Sequence, residues 1–470
     1  MKLAENLVTF RLRLKNIPGT LGKALTIIGK CGGSMGNVRI IKADKEFKIR
    51  DVAVYISTDK QVKEIMDALA DLGKDIVDVL SVKDKVFELH EKGKIFLSNR
   101  ISITTFEDLA RVYTPGVAKV CIAIKGQPEL AREYTIIKNT VAVVTDGTAI
   151  LGLGDIGPVA GMPVMEGKAM LFKAFGNIDA FPILLNTRDV DKILTTIITI
   201  APTFGGINLE DISAPRCFEI EKRLKAALNI PVFHDDQHGT AIVCLAGLMN
   251  ALKVVRKKIE NISIVISGAG AAGISIAKIL LDAGAKNIMV CDTSGIIYKD
   301  RKTNMNPAKD ALAQITNPNN EKGTIADAMR GKNVFIGVSA PNIITKDMVK
   351  TMHNDPIIFA MANPYPEIEP NLIEGVARII ATGRSDFHNQ INNVLCFPGL
   401  FRGALDVGAT AINDEMNMAA AYAIANTIEE EHLSEDYIIP SVFNETVHKN
   451  VAKAVADAAV KSGVATRHML

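Results

Sequence analysis

Alternation of apolar and polar residues opens the sequence and predicts a β-strand. Val8, Phe10, Leu12 and Leu14 recur at every second position, and the turn-like Asn16-Ile17-Pro18-Gly19 follows. Helical spacing comes next, then strand-like stretches at 36–42 and 48–57, a second helix near 60–72 and a last strand near 75–87. This βαββαβ order predicts a four-stranded sheet with two helices on one face.

The first turn carries a family resemblance. Asn16-Ile17-Pro18-Gly19-Thr20-Leu21, with Gly22-Lys23-Ala24-Leu25 opening the helix, resembles the ACT regulatory module, whose members often bind amino acids at such a turn. The resemblance implies an ACT-like regulatory domain over residues 1–88 that binds an amino-acid-like effector. An assembly domain without a ligand is the alternative.

Beyond a charged stretch at 83–94, interpreted as a linker or surface helix, strand-like and helical patterns alternate to about residue 390. This alternation predicts an α/β fold with a substrate- and metal-binding domain at 89–255 and a doubly wound, Rossmann-type domain at 256–390. The segment 391–470 is rich in alanine with helical spacing, and it is predicted to close the cofactor cleft and pack back on the core. The four predicted strands of the substrate domain are Val141–Thr145, Ala180–Leu185, Gly206–Leu209 and Pro231–Phe233.

Length and charge narrow the classes of function. A chain of 470 residues suggests about three domains, and a net charge of +2 gives no reason to expect nucleic acid or an anionic membrane as a partner. Six scattered cysteines form no C-x-x-C pair, the start of the chain lacks the apolar core of a signal peptide, and no apolar run is long enough to span a bilayer. We therefore expect a cytoplasmic protein.

A nucleotide-binding motif follows the strand predicted at 262–267. The segment Gly268-Ala269-Gly270-Ala271-Ala272-Gly273 has the G-x-G-x-x-G spacing between a strand and a helix, where the backbone receives a pyrophosphate. The next predicted strand ends at Asp292, at the position where an acidic residue accepts from ribose hydroxyls. Because a carboxylate there would repel a 2′-phosphate, the pattern favours NAD, while Lys299 and Arg301 keep NADP as an alternative.

Two acidic pairs are predicted near strand ends. Glu210-Asp211 and Asp235-Asp236 follow short apolar stretches, and carboxylates crowded together need a cation, for which hard oxygen ligands favour Mg²⁺ or Mn²⁺. Helix capping by the aspartates is the structural alternative. His234 and His238 have i, i+4 spacing, but the glutamate base of the zinc motif is missing between them, so zinc is disfavoured.

Lys168 and Tyr113 are further candidates. Lys168 follows the glycine-dense stretch 145–167, and a lysine in a closing cleft can have its pKa lowered toward neutrality, which suits a general base. Tyr113 precedes Thr114-Pro115-Gly116 and is either a packed aromatic or a proton donor.

The motifs together resemble those of a bacterial-type malic enzyme from about residue 95 onward. They are Tyr-Thr-Pro-Gly at 113–116, Leu-Gly-Leu-Gly-Asp at 151–155, Glu-Gly-Lys at 166–168, Leu-Glu-Asp at 209–211 and His-Asp-Asp-Gln-His-Gly-Thr-Ala at 234–241. The resemblance implies oxidative decarboxylation of L-malate to pyruvate and CO₂ with reduction of NAD, and a homodimer or tetramer. It implies these roles: metal ligands Glu210, Asp211 and Asp236, general base Lys168, general acid Tyr113, Asp235 as the partner of Lys168, and substrate or nicotinamide contacts at Asn363 and Asn393.

One position departs from the eukaryotic members of the family. They carry an arginine for the substrate carboxylate just before the Ile-Leu-Gly-Leu-Gly-Asp segment, where this chain has Thr148-Ala149. Either another cation binds that carboxylate, or the larger enzymes bind the substrate differently.

Three other functions stay open at this point. Malolactic chemistry uses similar residues, and a metal-independent dehydrogenase for amino acids or 2-hydroxy acids would share the two-domain plan. A non-catalytic amino-acid sensor is more remote, because a decayed site has no reason to keep Tyr113, Lys168 and the acidic residues together.

Overall fold

The structure, a computed structural model, describes residues 6–466. The first five and last four residues, which belong to the predicted first and last domains, lie outside the described residues. The chain forms two compact units that divide after Phe96. Within the described residues, no helix is both long enough and apolar enough to cross a membrane.

The first unit has the predicted βαββαβ order. Its sheet is antiparallel, with strand order β2-β3-β1-β4, and the alternating apolar residues of β1 pack with Ile28 and Leu69 from the two helices. The last strand is shorter than predicted. It ends at Asp84, whose carboxylate accepts from the Val86 backbone N–H and so caps a short helix. The elements are β1 (Asn6–Lys15), α1 (Thr20–Lys30), β2 (Ser34–Ala43), β3 (Phe47–Ile56), α2 (Asp59–Ala70), β4 (Val77–Asp84) and α3 (Lys85–His90).

The second unit starts with a segment that has little core of its own. None of residues 97–139 is buried, although many of them are large and apolar. Its helices are α4 (Phe106–Val112), α5 (Val117–Gly126) and α6 (Ala131–Tyr134).

A parallel sheet of four strands follows, in the order β6-β5-β7-β8. Its strands start and end within one residue of the sequence prediction. Because neighbours lie on both sides of the first strand, the chain reverses its winding there, which opens a crevice at the carboxyl ends of β5 and β7. The elements are β5 (Thr140–Thr145), α7 (Pro158–Gly176), β6 (Asp179–Leu184), α8 (Val190–Ile200), β7 (Gly206–Leu209), α9 (Arg216–Ala227), β8 (Val232–His234) and α10 (Thr240–Val254).

The second sheet has six strands in the order β11-β10-β9-β12-β13-β14, all parallel except β11. This is the doubly wound, Rossmann-type arrangement that the sequence predicts, with its own crevice between β9 and β12. The elements are β9 (Ser263–Ser267), α11 (Ala271–Asp282), β10 (Asn287–Asp292), β11 (Gly295–Ile296), α12 (Pro307–Ile315), α13 (Ile325–Met329), β12 (Val334–Gly337), α14 (Lys346–Lys350), β13 (Ile357–Ala360) and β14 (Ile379–Thr382).

The C-terminal helices pack on both sheets' layers. Phe397 and Phe401 contact Phe172 edge to face, with ring centroids 4.8 and 5.4 Å apart. Helix α10, apolar on nearly every side, is buried between the two halves in the same core. The helices are α15 (Phe397–Asp406), α16 (Asp414–Ala425) and α17 (Val447–Lys461).

Candidate active site

Lys168 lies in a buried ion-pair network. It belongs to α7, is 7% exposed, and its ammonium is 2.5 Å from Asp235 Oδ2 and 3.0 Å from Glu210 Oε1. The Phe397 ring covers the ammonium, with its centroid 4.1 Å away. The chain therefore holds a lysine between two carboxylates that follow neighbouring strands.

Three carboxylates form a cluster next to this network. Glu210 and Asp211 follow β7 directly, and Asp236 lies in a π-helical turn after β8. One oxygen from each carboxylate lies within 4.8 Å of the others, and the Asp211 backbone N–H donates to Asp236 Oδ2 at 2.7 Å. Asp211 has a φ of +53°, a left-handed conformation that aspartate tolerates better than most residues.

Four acidic side chains lie near the Lys168 ammonium, and two of them, Glu210 and Asp235, pair with it. Burial and the neighbouring negative charges raise the pKa values of Glu210, Asp211 and Asp236, and burial, only partly offset by Lys168, raises the pKa of Asp235 to about 7. Within residues 6–466, no group donates a hydrogen bond to Asp211 Oδ2. An unpartnered buried oxygen among crowded carboxylates fits a hard divalent cation such as Mg²⁺ or Mn²⁺.

The pKa of Lys168 differs from the sequence expectation. Burial alone lowers it, but the charges of Asp235 and Glu210 outweigh burial and raise the pKa above its usual value. Burial in the cleft is therefore not sufficient to lower the pKa of Lys168, because the two carboxylates stabilise the charged ammonium.

Asp235 joins the two halves of the second unit. Its Oδ2 accepts from Asn393 Nδ2, which lies just after the nucleotide-domain strands. Gly239 is needed beside it, since an added Cβ would lie 1.9 Å from Asp235 Oδ1. Asn363 also lies at this boundary, because a Cβ on Gly152 would meet the Asn363 carbonyl oxygen at 2.1 Å.

The glycine motif forms one wall of a cavity of about 870 Å³ at the carboxyl ends of the nucleotide sheet, and Gly268 and Gly270 line it. Ala271, Ala272 and Gly273 begin α11, so the N-terminus of this helix lies beside the cavity, as an anion site requires.

Asp292 lines the same cavity but has two cationic partners. Arg301 contacts both of its oxygens, and Lys309 Nζ lies 2.7 Å from Oδ2. Burial raises the pKa of Asp292, but the hydrogen bonds from Arg301 and Lys309 outweigh burial, so the pKa is lowered. Arg301 was considered in the sequence as a phosphate ligand; here it binds the carboxylate.

Tyr113 is not part of this arrangement. It ends α4, is 66% exposed, and within residues 6–466 no hydrogen bond joins it to Lys168 or to the acidic cluster. Of the predicted catalytic residues, the structure brings together Lys168 and Asp235 and leaves Tyr113 on the surface.

Several residues near the site were missed by sequence reasoning. Asn208, buried in β7, donates to Glu210 Oε2 at 2.8 Å, and an amide inside an apolar strand was the available signal. Arg216 contacts Asp146 and the Thr148 hydroxyl at 2.9 and 3.0 Å. It also donates to the Arg188 carbonyl, and the exposed Arg188 guanidinium pairs with Asp155. Arg216 is therefore the arginine that contacts the position where the eukaryotic arginine is missing.

Comparison with known proteins finds family models that match two parts of the chain. Residues 90–225 match the family model of the malic enzyme N-terminal domain, and residues 237–460 match that of the malic enzyme NAD-binding domain. The NAD-dependent malic enzyme of Geobacillus stearothermophilus is 55% identical over 460 residues, which cover 98% of this chain and 96% of that protein.

Two further matches cover about four fifths of this chain. The bifunctional malic/malolactic enzyme of Bacillus subtilis is 54% identical over 389 residues, 82% of this chain and 95% of that protein. The crystal structure of an NAD-dependent malic enzyme from Thermotoga maritima superposes with a TM-score of 0.77 at 48% identity and covers 79% of this chain and 99% of its own. Because both family models match and a malic enzyme aligns at 55% identity over 98% of this chain, the chain belongs to the malic enzyme family.

Proposed function

We propose that this chain catalyses the oxidative decarboxylation of L-malate to pyruvate and CO₂, with NAD as hydride acceptor and Mg²⁺ or Mn²⁺ as cofactor. The observation that carries the proposal is the Lys168 ion-pair network beside Glu210, Asp211 and Asp236, in a unit that also contains the nucleotide cavity. A metal-independent dehydrogenase would have no need for this acidic cluster.

The metal ligands proposed are Glu210, Asp211 and Asp236. A divalent cation bound there supplies Lewis acidity toward the substrate hydroxyl and keto oxygen. With Glu210 engaged by a cation, Lys168 would keep Asp235 as its ion-pair partner, and its pKa would fall toward the range of a general base.

Lys168 then accepts the proton of the C2 hydroxyl as hydride leaves C2 for the nicotinamide. Asp235 holds the lysine in place and is itself fixed by Asn393. After CO₂ is lost, Tyr113 donates a proton to C3 and pyruvate forms. Arg188 and Arg216 supply positive charge for a substrate carboxylate at the edge of the same sheet.

Replacing the base tests this assignment. We expect Lys168→Ala to lower kcat by about 10²- to 10⁴-fold, since it removes the proton acceptor, while NAD still binds. The measurement is NADH absorbance with malate and Mn²⁺, alongside a direct NAD titration. Lys173→Ala is the matched control, because Lys173 lies on the same helix and its ammonium pairs with Asp179 at the surface.

The same assay separates the alternatives. Wild-type turnover in Lys168→Ala would remove this lysine from the mechanism, and turnover without a divalent cation would favour a simple dehydrogenase. The bifunctional relative makes malolactic chemistry the second candidate. Lactate formed with no net NADH would identify that activity.

NAD is proposed over NADP because a carboxylate, Asp292, lines the nucleotide cavity where the adenosine ribose is expected. The two cations that contact this carboxylate reduce its repulsion of a 2′-phosphate, so the preference depends on the balance of the three side chains.

A second copy of the chain is proposed to cover residues 97–139. Leu97, Ile101 and Phe106 are more than half exposed, and an apolar surface of this extent is typical of protein interfaces. Because Tyr113 lies in this segment, pairing of two copies would also bury its ring and place it near an active site. We therefore propose a homodimer as the smallest active form.

The first unit is proposed to be an ACT-like regulatory module that binds an amino-acid-like effector. Its βαββαβ order and the Asn16–Thr20 turn support this. Deleting residues 1–88 is expected to leave malate oxidation intact and to abolish any change in the KM for malate caused by amino acids. Unchanged effector responses in a folded deletion variant would contradict the proposal.

A further inference from the structure

His234 is a buried histidine, and none of the roles described above involves its ring. It ends β8 immediately before Asp235 and Asp236, and its side chain is fully buried. Its backbone N–H donates to Glu221 Oε1 at 3.3 Å. The main chain at this point is therefore anchored without any help from the ring.

Among residues 6–466 the ring makes no hydrogen bond of normal geometry at Nδ1 or Nε2, and its interaction with the Ile212 backbone is a weak one. A neutral imidazole always carries one N–H, and buried polar groups almost always have partners. A buried ring with both nitrogens unpartnered therefore points to an interaction that forms in another state of the site.

Two groups around the ring indicate what that interaction is. Nδ1 lies 3.7 Å from Asp236 Oδ2, too far for a hydrogen bond but close enough that a small rotation of either side chain would make one. The ring also faces the backbone of Ile212, which follows Asp211. His234 thus lies behind both loops that carry the proposed metal ligands.

The neighbouring histidine is used differently. His238 Nε2 contacts Glu221 at 2.9 Å, and Lys225 pairs with the same carboxylate at 2.9 Å. Glu221 is thereby satisfied and does not compete for the His234 ring. Asp236 is the carboxylate left within reach of His234 Nδ1.

We propose that His234 is a positioning residue that donates from Nδ1 to the Asp236 carboxylate and fixes it for the divalent cation. The inference rests on the proposed metal site at Glu210, Asp211 and Asp236. Hydrogen bonds of this kind orient ligating carboxylates, and their loss typically weakens metal binding by about 10- to 100-fold.

Three substitutions of His234 separate hydrogen-bond donation from space filling. His234→Phe keeps a ring of similar shape and removes the donor, whereas His234→Asn places an amide N–H close to the position of Nδ1. His234→Gln places its amide near Nε2 instead. His448→Phe is the matched control, since His448 is also buried with an unpartnered Nδ1 but packs on Phe175, away from the acidic cluster.

The experiment is a Mn²⁺ titration of the full-length protein, by calorimetry or by the electron paramagnetic resonance signal of free Mn²⁺, with Tm measured in parallel. We expect the Kd to rise about tenfold or more in His234→Phe and His234→Gln, and to stay within about threefold of wild type in His234→Asn. His448→Phe should lower Tm without changing the Kd.

Equal Mn²⁺ affinity in wild type and His234→Phe, or equally weak binding in His234→Asn and His234→Gln, would overturn the proposal while leaving the metal site intact. If His234→Phe does not fold, the Asn and Gln variants decide alone. Mn²⁺ binding in wild type that survives Asp236→Asn would instead contradict the proposed metal site, and the positioning role with it.

Discussion

At the scale of single residues, the effect of Asp292 on a bound nucleotide depends on its partners as well as on its own charge. Asp292 has the chain position of a ribose-binding acid, yet the structure gives it Arg301 and Lys309 as partners. With two cations on one carboxylate, this corner of the cavity has a local excess of positive charge. The proposed preference for NAD therefore depends on the charge of Asp292, which offsets those cations.

Asp292→Asn is expected to shift the cofactor preference toward NADP. Removing the carboxylate leaves Arg301 and Lys309 uncompensated, so the ratio of kcat/KM for NADP to that for NAD should rise by about tenfold, equal to about 1.4 kcal/mol. Steady-state kinetics with both cofactors measures it. Asp300→Asn removes the same charge from an exposed neighbour and should leave the ratio unchanged. A fall in the ratio for Asp292→Asn would contradict the argument.

At the scale of elements, the glycines of one turn have different tasks. A Cβ on Gly273 would lie 1.8 Å from the Gly268 carbonyl oxygen, so the third glycine lets α11 approach β9. A Cβ on Gly270 would meet nothing within 4 Å, and the φ of Gly270 is −90°. The second glycine thus leaves space for the pyrophosphate and not for the protein's own packing.

The two alanine variants should therefore separate stability from binding. Gly273→Ala is expected to cost about 1–3 kcal/mol of unfolding free energy, because the new methyl group overpacks the turn. Gly270→Ala should keep the wild-type Tm and raise the Kd for NAD by about tenfold. Thermal melts without cofactor and NAD titrations measure both effects; a large loss of Tm in Gly270→Ala would refute the division of roles.

The elements were largely predictable from the sequence and the contacts between them were not. Period-two alternation in β1 and short apolar runs in β5 and β9 depend only on neighbours in the chain. The pairing of Lys168 with Asp235 spans 67 residues and that of Asp235 with Asn393 spans 158, so local pattern carries no signal of either. The same reason explains why the effect of two carboxylates on the pKa of Lys168 was missed. The pairing of Arg301 with Asp292 is different, because these residues lie only 9 positions apart and meet through the turn that follows β10.

At the scale of the whole molecule, the segment 97–139 is the largest departure from a self-contained fold. It has helices but no buried residue. Because short helices are marginal in water without tertiary packing, contacts with a partner are expected to stabilise the segment. A second copy of the chain is the partner proposed above.

Phe106→Glu is expected to weaken that pairing. Phe106 is 91% exposed at the first position of α4, where a glutamate suits the helix N-terminus, so the helix should persist while the interface gains a charge. Analytical ultracentrifugation should show a shift toward the mass of one chain, 50.6 kDa, together with loss of activity. Leu372→Glu, a similar change at another exposed apolar site, is the control. An unchanged mass would place the interface elsewhere.

The contacts of Asp235 also bear on when the Lys168 network can form as the chain folds. Its partners come from α7 and from the start of the C-terminal segment, so the network closes only after almost the entire chain has left the ribosome. Contacts this distant in sequence form slowly. A chain truncated before Asn393 would therefore contain the strands of both sheets and lack the residue that fixes Asp235 from the C-terminal side.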